Sequence, residues 1–420
     1  MKILHLSTND ITGGAARAAF RLHTGLLRLG HESSMLVLKR TSGESSVRQL
    51  KWSDDWMIRY RRSRRRKRIR RDFELYKHTL PPGFEAFSDD RSDAGFDLVQ
   101  QLPDCDVINL HWVAGFIDYE IFFKHLPAGV PVVWRLADMN PFTGGCHYDC
   151  GCGKFAFTCG ACPVLDSNIE IDLSREVWAR KVHALSRIEA SRLHIVGTSR
   201  WIAEQAKRSS VLGRFPATVI PNGLDTEEFS PLDKTASRDK LEIPRTAKVV
   251  LFAADSAAIK RKGFDLLAGA LATLGNEPDL FLLSVGGGKP GVANLPQKHL
   301  GKIGDNRMLS AIYSAADVFV IPSLQESFGQ TVTESMACGT PVVGFDTGGI
   351  PDMVRPGITG YLAPVGDVAA LAEQIGKVLR DPSKAREMGG NCRRIVVEEY
   401  SMDVQARAYA RYYEEILVQS

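Results

Sequence analysis

The strongest constraint on the fold is an alternation of strand and helix patterns that runs through the chain twice. In the first pass, an apolar strand at 2–7 is followed by a turn and by an amphipathic helix that ends at Gly30. Buried strand patterns recur at 107–110, 130–134 and 193–197. Short apolar runs that alternate with helical patterns are typical of parallel sheets covered on both faces. The first half therefore predicts a doubly wound α/β domain.

The pattern restarts after a Pro-Asn-Gly sequence at 221–223, which is strong turn chemistry. Strand patterns at 248–253, 280–285, 318–322 and 342–345 again alternate with helical ones. Two such domains facing each other leave a cleft at the carboxyl ends of their strands, where open α/β sheets bind ligands. The predicted division is an N-terminal Rossmann-like domain at 1–218, a C-terminal Rossmann-like domain at 219–402, and a final helix at 403–420 that packs back on the N-terminal domain.

The composition of the chain is that of an ordinary globular protein. The 420 residues are 44% hydrophobic and 24% charged, with a net charge of +4, which is ordinary for a globular protein. The apolar run at the N-terminus is too short for a signal peptide, and no run of 18 apolar residues follows. We expect a cytoplasmic protein, either free or bound peripherally to the cytoplasmic face of a membrane.

The richest stretch is Pro322–Pro341, which reads PSLQESFGQTVTESMACGTP. It follows a strand, passes through a loop and enters a short helix, so it offers backbone N–H groups and a helix dipole to a diphosphate. Glu326 lies in the loop and Glu334 on the first turns of the helix. A carboxylate suits the gripping of sugar hydroxyls. Taken alone, the two glutamates also fit a capping acid and a solvated acid.

This stretch closely resembles the E-x7-E signature of glycosyltransferase family four, and segments 220–225, 348–352 and 357–360 extend the likeness. The resemblance implies a GT-B fold and a retaining transferase that moves a sugar from a nucleotide-sugar donor, UDP- or GDP-linked, to a glycan or polyprenyl-diphosphate-linked acceptor. It implies no cofactor for catalysis, because the lysine matched by Lys262 offsets charge on the leaving nucleotide. By the same resemblance, Glu334 would bind the ribose and Glu326 the donor sugar, while the amides of Ser327, Phe328 and Gly329 would reach the sugar or diphosphate.

The chain departs from the family pattern in two places. The usual arginine about six residues before Lys262 is absent, and Lys260 and Arg261 are the candidates to replace it. The histidine that relatives often carry beside Asp138 is replaced by Ala137, which leaves Asp138 as the polar candidate of that loop.

Two further features of the first half are candidates for the site. The pair Gly13-Gly14 follows the first strand, where glycine lets backbone approach a ligand, although a plain tight turn explains it equally. The family places this loop near the donor phosphates. His111 ends a strand at the predicted cleft, where it is either catalytic or structural.

Five of the eight cysteines fall between Cys146 and Cys162. In a reducing compartment, clustered cysteines favour metal binding over disulfides. A set of four thiolates suits structural zinc, and unligated thiols or an oxidised pair are the alternatives. Cys150 and His147 are spare candidate ligands. The insert FTGGCH…CGxCP also resembles a family-four subgroup of bacterial exopolysaccharide and capsule pathways, whose cysteines match Cys146, Cys152, Cys159 and Cys162.

A basic tract at 59–71 reads RYRRSRRRKRIRR, and Trp52, Trp56 and Tyr60 lie before it and at its start with helical spacing. Basic residues flanked by aromatics suit an anionic membrane surface. A solvated charged helix is the plainer explanation. Nucleic-acid binding is not expected, because nothing else in the sequence resembles a module that recognises RNA or DNA.

Two alternatives to a transferase stay open at this point. A non-catalytic nucleotide-sugar-binding protein on the same fold would fit the missing arginine and Ala137. A nucleotide-sugar epimerase on a similar scaffold would be expected to lack the Glu326/Glu334 arrangement and the cysteine insert.

Overall fold

The structure is a computed structural model that describes residues 1–78, 83, 86–275 and 277–419. Its chain divides into two compact units. Unit 1 contains residues 1–221 and 405–420, and unit 2 contains residues 222–404. Each unit is built on one parallel sheet, so the strand–helix alternation of the sequence is realised twice.

Unit 1 contains a parallel sheet of seven strands within the described residues, in the order β3-β2-β1-β4-β5-β6-β7. The predicted strand at 130–134 instead begins at Val132, because Pro131 has no N–H to donate to a sheet ladder. The strands are β1 (Lys2–Asn9), β2 (Glu32–Lys39), β3 (Val47–Gln49), β4 (Val107–Leu110), β5 (Val132–Leu136), β6 (Leu193–Gly197) and β7 (Ala217–Val219).

Helices cover this sheet, and short 3-10 turns occur in the loops between the helices and strands. Asp55 caps the basic helix, since its carboxylate accepts hydrogen bonds from the N–H groups of Met57 and Ile58. The helices are α1 (Gly14–Arg28), α2 (Trp56–Glu74), α3 (Gly95–Val99), α4 (Tyr119–Lys124), α5 (Leu173–Ser186) and α6 (Arg200–Arg208), with 3-10 turns at Asn140–Phe142, Lys154–Ala156, Pro163–Leu165 and Ala190–Arg192.

Unit 2 repeats the design with a six-stranded parallel sheet in its described residues, ordered β10-β9-β8-β11-β12-β13. Two apolar clusters fill its two faces. Its strands are β8 (Lys248–Ser256), β9 (Leu280–Gly287), β10 (Gln297–His299), β11 (Val318–Ile321), β12 (Val342–Phe345) and β13 (Gly360–Ala363). Its helices are α7 (Lys234–Lys240), α8 (Phe264–Thr273), α9 (Asn306–Ala315), α10 (Gln330–Ala337), α11 (Ile350–Met353), α12 (Val368–Arg380) and α13 (Pro382–Glu399), with a 3-10 turn at Lys260–Lys262.

The last helix, α14 (Met402–Gln419), returns the chain to unit 1. Its side chains Tyr409, Tyr413 and Ile416 are buried with Leu22 of α1 and Val107 of β4 in one apolar cluster. The face of the unit 1 sheet that bears α1 therefore also carries α14.

Candidate functional site

The E-x7-E stretch of unit 2 runs from the end of β11 into α10. Gly329 precedes the helix with a φ of 94°, a left-handed conformation that glycine adopts without strain, and no side chain caps the helix there. Glu334 lies on the second turn of the helix and is buried, and Tyr313 donates its hydroxyl proton to Glu334 Oε2 at 3.1 Å. The tyrosine therefore fixes the carboxylate that the resemblance assigns to the ribose.

Glu326 lies in the loop and forms an ion pair with the lysine predicted to hold the diphosphate. Lys262 Nζ is 2.6 Å from Glu326 Oε2, and Arg261 Nη1 is 3.5 Å from the same oxygen. Burial raises the pKa of the Glu326 carboxyl, but the attraction of Lys262 and Arg261 outweighs it and holds that pKa below its ordinary value. The carboxylate is therefore ionised at neutral pH, and a bound diphosphate would compete with it for the lysine.

Three loop segments are locked together around this ion pair. Leu324 N–H donates to the carbonyl of Arg261, and Gly349 N–H donates to the carbonyl of Glu326. A Cβ built on Gly348, whose φ is 58°, would lie 2.0 Å from the Glu326 carbonyl oxygen. Only glycine fits such an approach, so the glycine pair that follows β12 positions the glutamate backbone.

Of the other residues predicted in this stretch, Ser327 and Phe328 are both buried. Phe328 belongs to an apolar cluster of unit 2, and its ring lies near that of Tyr400. Its side chain therefore anchors the loop, which leaves only its backbone for the predicted ligand role. Arg261 donates to the carbonyl of Gln325, so the structure places this candidate replacement for the missing arginine against the loop itself.

In unit 1, Gly13 and Gly14 form the junction between β1 and α1. Gly13 has a φ of 91°, and no other heavy atom lies within 4 Å of the point that a Cβ would occupy there. Helix α1 starts at Gly14 with no side-chain cap. Gly13 thus leaves open space beside the N-terminus of a 15-residue helix, a combination that suits an anion.

His111 and Asp138 line one small pocket of unit 1, at the carboxyl ends of β4 and β5. Trp112, Ala137 and Asn140 are among its other walls. The structure thus brings together two residues that the sequence placed in separate loops.

Asp138 has a histidine partner that the sequence did not reveal. His147, from the cysteine insert, places Nδ1 2.6 Å from Asp138 Oδ2, and Trp112 donates its indole N–H to the same oxygen at 2.9 Å. Burial raises the pKa of Asp138, but His147 and the donated hydrogen bonds lower it below its ordinary value. An imidazole thus stands beside Asp138 although Ala137 replaces the expected histidine. No local signal could reveal it, because the two residues are nine positions apart in the chain.

The cysteines predicted to hold zinc lie in the same insert. Cys146, Cys159 and Cys162 are buried, and Cys152 is exposed. Burial raises the pKa of Cys146 well above its ordinary value, and the charges of the other three thiols add to that effect. Within the part of the chain that the structure describes, no group of three or more His, Cys, Asp or Glu side chains is arranged to hold a metal ion. His147 uses Nδ1 on Asp138 and Nε2 on Ser88, so it is engaged elsewhere.

The basic tract forms most of α2, whose described residues are all at least partly exposed. Acidic residues of unit 1 neutralise several of its arginines: Arg62 pairs with Asp97, Arg65 with Asp118, and Arg66 with Asp93. Trp56 and Tyr60 are 72% and 56% exposed on the same helix. Across the described ranges, no helix is long and apolar enough to span a bilayer.

The sequence of the chain is similar to a protein-family model and to several characterised proteins. Residues 233–395, within unit 2, match the family model described as "Glycosyl transferases group 1". Unit 2 is therefore similar to a glycosyl transferases group 1 domain. Over 205 residues it is 29% identical to the N-acetyl-alpha-D-glucosaminyl L-malate synthase of Bacillus anthracis, an alignment that covers 47% of this chain and 53% of the relative. The matches span about half the length of the first curated relatives.

Solved structures share the fold of the whole chain. Sucrose-phosphate synthase from Thermosynechococcus elongatus aligns over 100% of both chains with a TM-score of 0.67 and 21% identity. Anabaena HepE, solved with UDP-glucose, aligns over 99% of this chain and 100% of its own with a TM-score of 0.63 and 18% identity. The fold is therefore the GT-B fold predicted from the sequence.

Proposed function

We propose that the chain is a retaining glycosyltransferase that moves a sugar from a UDP- or GDP-linked donor to a glycan or polyprenyl-diphosphate-linked acceptor in exopolysaccharide or capsule synthesis. The observation that carries the proposal is the Lys262–Glu326 ion pair beside the uncapped N-terminus of α10. A group 1 domain match over these residues and a fold shared with a UDP-glucose complex support it.

Each candidate residue would have its own role in sugar transfer. Lys262, with Arg261 behind it, would offset the charge that grows on the leaving nucleotide without a metal ion. Glu334, fixed by Tyr313, would hold the ribose hydroxyls, and Glu326 would bind the donor sugar. In unit 1, the Gly13-Gly14 helix start would face phosphate oxygens, and the pocket of His111 and Asp138 would take polar groups of a sugar.

The test is slow donor hydrolysis by the purified chain, measured as nucleotide release from UDP-, GDP- and ADP-sugars. We expect one donor class to be cleaved and Glu334→Ala to abolish the release. Glu373→Ala, which removes a carboxylate exposed on α12, is the matched control and should behave as the wild type. Binding of a nucleotide sugar without turnover of any donor–acceptor pair would favour the non-catalytic binding protein instead.

The basic helix is proposed to bring the chain to an anionic membrane surface that carries the acceptor. Lys67, Arg68 and Arg70 are exposed on α2, beyond the arginines that pair with unit 1 acids. Each could contribute on the order of 1 kcal/mol near such a surface. Exposed Trp56 and Tyr60 would enter the headgroup region.

Sedimentation with vesicles tests this proposal. Wild type should bind phosphatidylglycerol-containing vesicles, lose that binding in high salt, and ignore pure phosphatidylcholine. Replacing Lys67, Arg68 and Arg70 with Glu should abolish binding, whereas the same change at exposed Lys240, Lys289 and Arg386 of unit 2 should not. Equal loss in both triple variants would leave only a general charge effect and refute the role of α2.

Cys146, Cys152, Cys159 and Cys162 are proposed to hold one structural zinc ion. The insert around them has only 3-10 turns, and Lys181 ties it down by donating to the carbonyls of Asn140 and Thr143. Because no group of three or more His, Cys, Asp or Glu side chains is arranged to hold a metal ion among the described residues, zinc binding would require these side chains to rearrange. Metal analysis of protein purified without chelator should find about one zinc per chain, and none in Cys159→Ser. Absence of zinc from the wild type would refute the proposal.

A further inference from the structure

Three buried histidines of unit 1, one of them the pocket residue His111, form a hydrogen-bonded chain. His5 lies on β1, His23 on α1 and His111 directly after β4, and each is at most 1% exposed. Two serines and a surface glutamate link and extend them. We call the chain His111–His5–Ser33–His23–Ser46–Glu44 the histidine relay.

The contacts of the relay are short and continuous. His111 Nε2 lies 2.8 Å from His5 Nδ1, and His5 Nε2 lies 3.1 Å from Ser33 Oγ. Ser33 Oγ lies 2.7 Å from His23 Nδ1, and His23 Nε2 lies 2.8 Å from Ser46 Oγ. Every ring nitrogen of His5 and His23 is therefore engaged, and the relay crosses from β4 through β1 and β2 to α1.

The surface end of the relay sets its direction. Ser46 donates its hydroxyl proton to Glu44 Oε1 at 3.3 Å, and an ionised carboxylate can only accept. A serine hydroxyl has one proton, so Ser46 must accept the hydrogen bond from His23 Nε2–H. A neutral imidazole carries one N–H, which leaves His23 Nδ1 as an acceptor for the Ser33 hydroxyl.

The same proton count extends to the inner end of the relay. Ser33 has given its proton to His23, so it accepts from His5 Nε2–H. His5 Nδ1 is then an acceptor, and His111 Nε2–H donates to it. His111 Nδ1 must therefore be an unprotonated lone pair. Within the described residues this buried atom has no hydrogen-bond partner.

These proton positions require all three rings to be neutral, and their surroundings keep them so. Burial lowers the pKa of His5 and His111 well below the ordinary value, and the nearby Arg135 guanidinium adds to the effect on both. Burial lowers the pKa of His23 to about 4 and outweighs the opposing charge of Glu44. At neutral pH each ring therefore has one donor and one acceptor.

The inner end of the relay borders a small pocket. His111 lines the small pocket that also contains Trp112, Asp138 and Asn140. A buried acceptor without a partner costs free energy unless a ligand or water supplies a donor. A hydroxyl group is the donor that a sugar carries in abundance.

We propose that the histidine relay fixes His111 as its Nε2–H tautomer, so that His111 Nδ1 accepts a hydrogen bond from a hydroxyl group of the sugar ligand. In this assignment His111 contacts the ligand, while His5, Ser33, His23, Ser46 and Glu44 are positioning residues that act through it. The identity of the ligand rests on the proposed function, but the tautomer does not.

The tautomer is measured by long-range proton–nitrogen NMR on the whole chain with nitrogen-15 histidine, with signals assigned by single His→Gln variants. We expect His5, His23 and His111 all to be neutral and protonated at Nε2. Ser46→Ala disconnects the relay from Glu44, so His23 should then populate both tautomers. Ser45→Ala, at the exposed neighbouring position, should leave the spectrum unchanged. A His111 ring protonated at Nδ1, or tautomers that ignore Ser46→Ala, would overturn the proposal.

The ligand contact is tested with the donor sugar that the hydrolysis screen identifies. In His111→Gln, the side-chain amide can still donate to His5 but offers nothing in the place of Nδ1. In His111→Asn, the carbonyl oxygen takes approximately the place of Nδ1. We expect kcat/KM to fall about tenfold in the glutamine variant, as for one lost hydrogen bond, and less in the asparagine variant.

Two failures of this second experiment can be told apart. Wild-type turnover with a fully active His111→Gln would exclude the contact with the ligand hydroxyl. Absence of turnover in the wild type would instead refute the proposed function, and the NMR result would still decide the tautomer.

Discussion

The polar sites of the two units are assembled in opposite ways. In unit 2, Glu326 and Glu334 come from one stretch. Glu326 pairs with Lys262 of the 3-10 turn before α8, and Glu334 accepts from Tyr313 of α9. In unit 1, Asp138 meets a histidine from an insert, and His111 ends a relay that starts at the surface residue Glu44. The first site is held by loop backbone and an ion pair, whereas the second depends on hydrogen bonds between side chains.

This difference predicts how each site responds when a side chain is removed. A charge removed from unit 2 leaves the fold of its loop in place, since backbone hydrogen bonds hold that loop. A side chain removed from unit 1 leaves a buried partner unsatisfied, which costs stability. Unit 2 variants should therefore show their largest effects in activity, and unit 1 variants in folding.

The largest expected effect is on catalysis. Lys262→Ala removes the cation nearest to Glu326 and the charge proposed to stabilise the leaving diphosphate. We expect kcat for donor hydrolysis to fall by about 10²–10³-fold, the range seen when one electrostatic stabiliser is lost. Lys289→Ala, at an exposed position of unit 2, serves as the control. A Lys262 variant as active as this control would contradict the assigned role.

The next effect concerns stability. His147→Ala leaves the Asp138 carboxylate buried with only the Trp112 indole and the Asn140 N–H as donors. We expect the free energy of unfolding to fall by about 2 kcal/mol, as for a lost hydrogen bond to a charged group. Urea unfolding measures it, with the exposed His183→Ala as the control. An unchanged free energy would show that Asp138 finds another donor, and the contrast between the units would weaken.

The smallest effect is a pH dependence of the histidine relay. The folded-state pKa of His23 is about 4, below the ordinary value of 6.5. As pH falls from about 6.5 toward 4, His23 becomes protonated in the unfolded chain but stays neutral in the folded chain. The contribution of His23 to the free energy of unfolding is therefore complete above about pH 6.5. Between about pH 6.5 and 4 it decreases by about 1.4 kcal/mol for each pH unit.

Urea unfolding between about pH 6 and pH 5 checks this slope. His23→Gln should lose about 1.4 kcal/mol less than the wild type over that unit, whatever the other groups contribute. Parallel slopes in wild type and variant would mean that His23 titrates normally and that the relay accommodates a charge.

Much of unit 2 and of its site followed from the sequence. The strands at 318–321 and 342–345 and the helix that bears Glu334 match the periodicity closely, because buried parallel strands read as continuous apolar runs. The loop between β11 and α10 is a local motif, and its glycines and helix start depend on neighbouring residues. The two carboxylates therefore stand out in the sequence, whereas Lys262 is named only through the resemblance to glycosyltransferase family four.

The sequence by itself determined the two parallel α/β units and the turn between them, since these depend on local periodicity and turn chemistry. Glu326 and Glu334 stand out in its richest loop, whereas Lys262 becomes a candidate only through the resemblance to glycosyltransferase family four. Only the tertiary structure decided that Lys262 pairs with Glu326, that His147 takes the place beside Asp138, and that a continuous run of side chains connects His111 to Glu44. These contacts join distant segments through side-chain directions that a one-dimensional pattern does not carry. They depend instead on which strands lie side by side in the sheet.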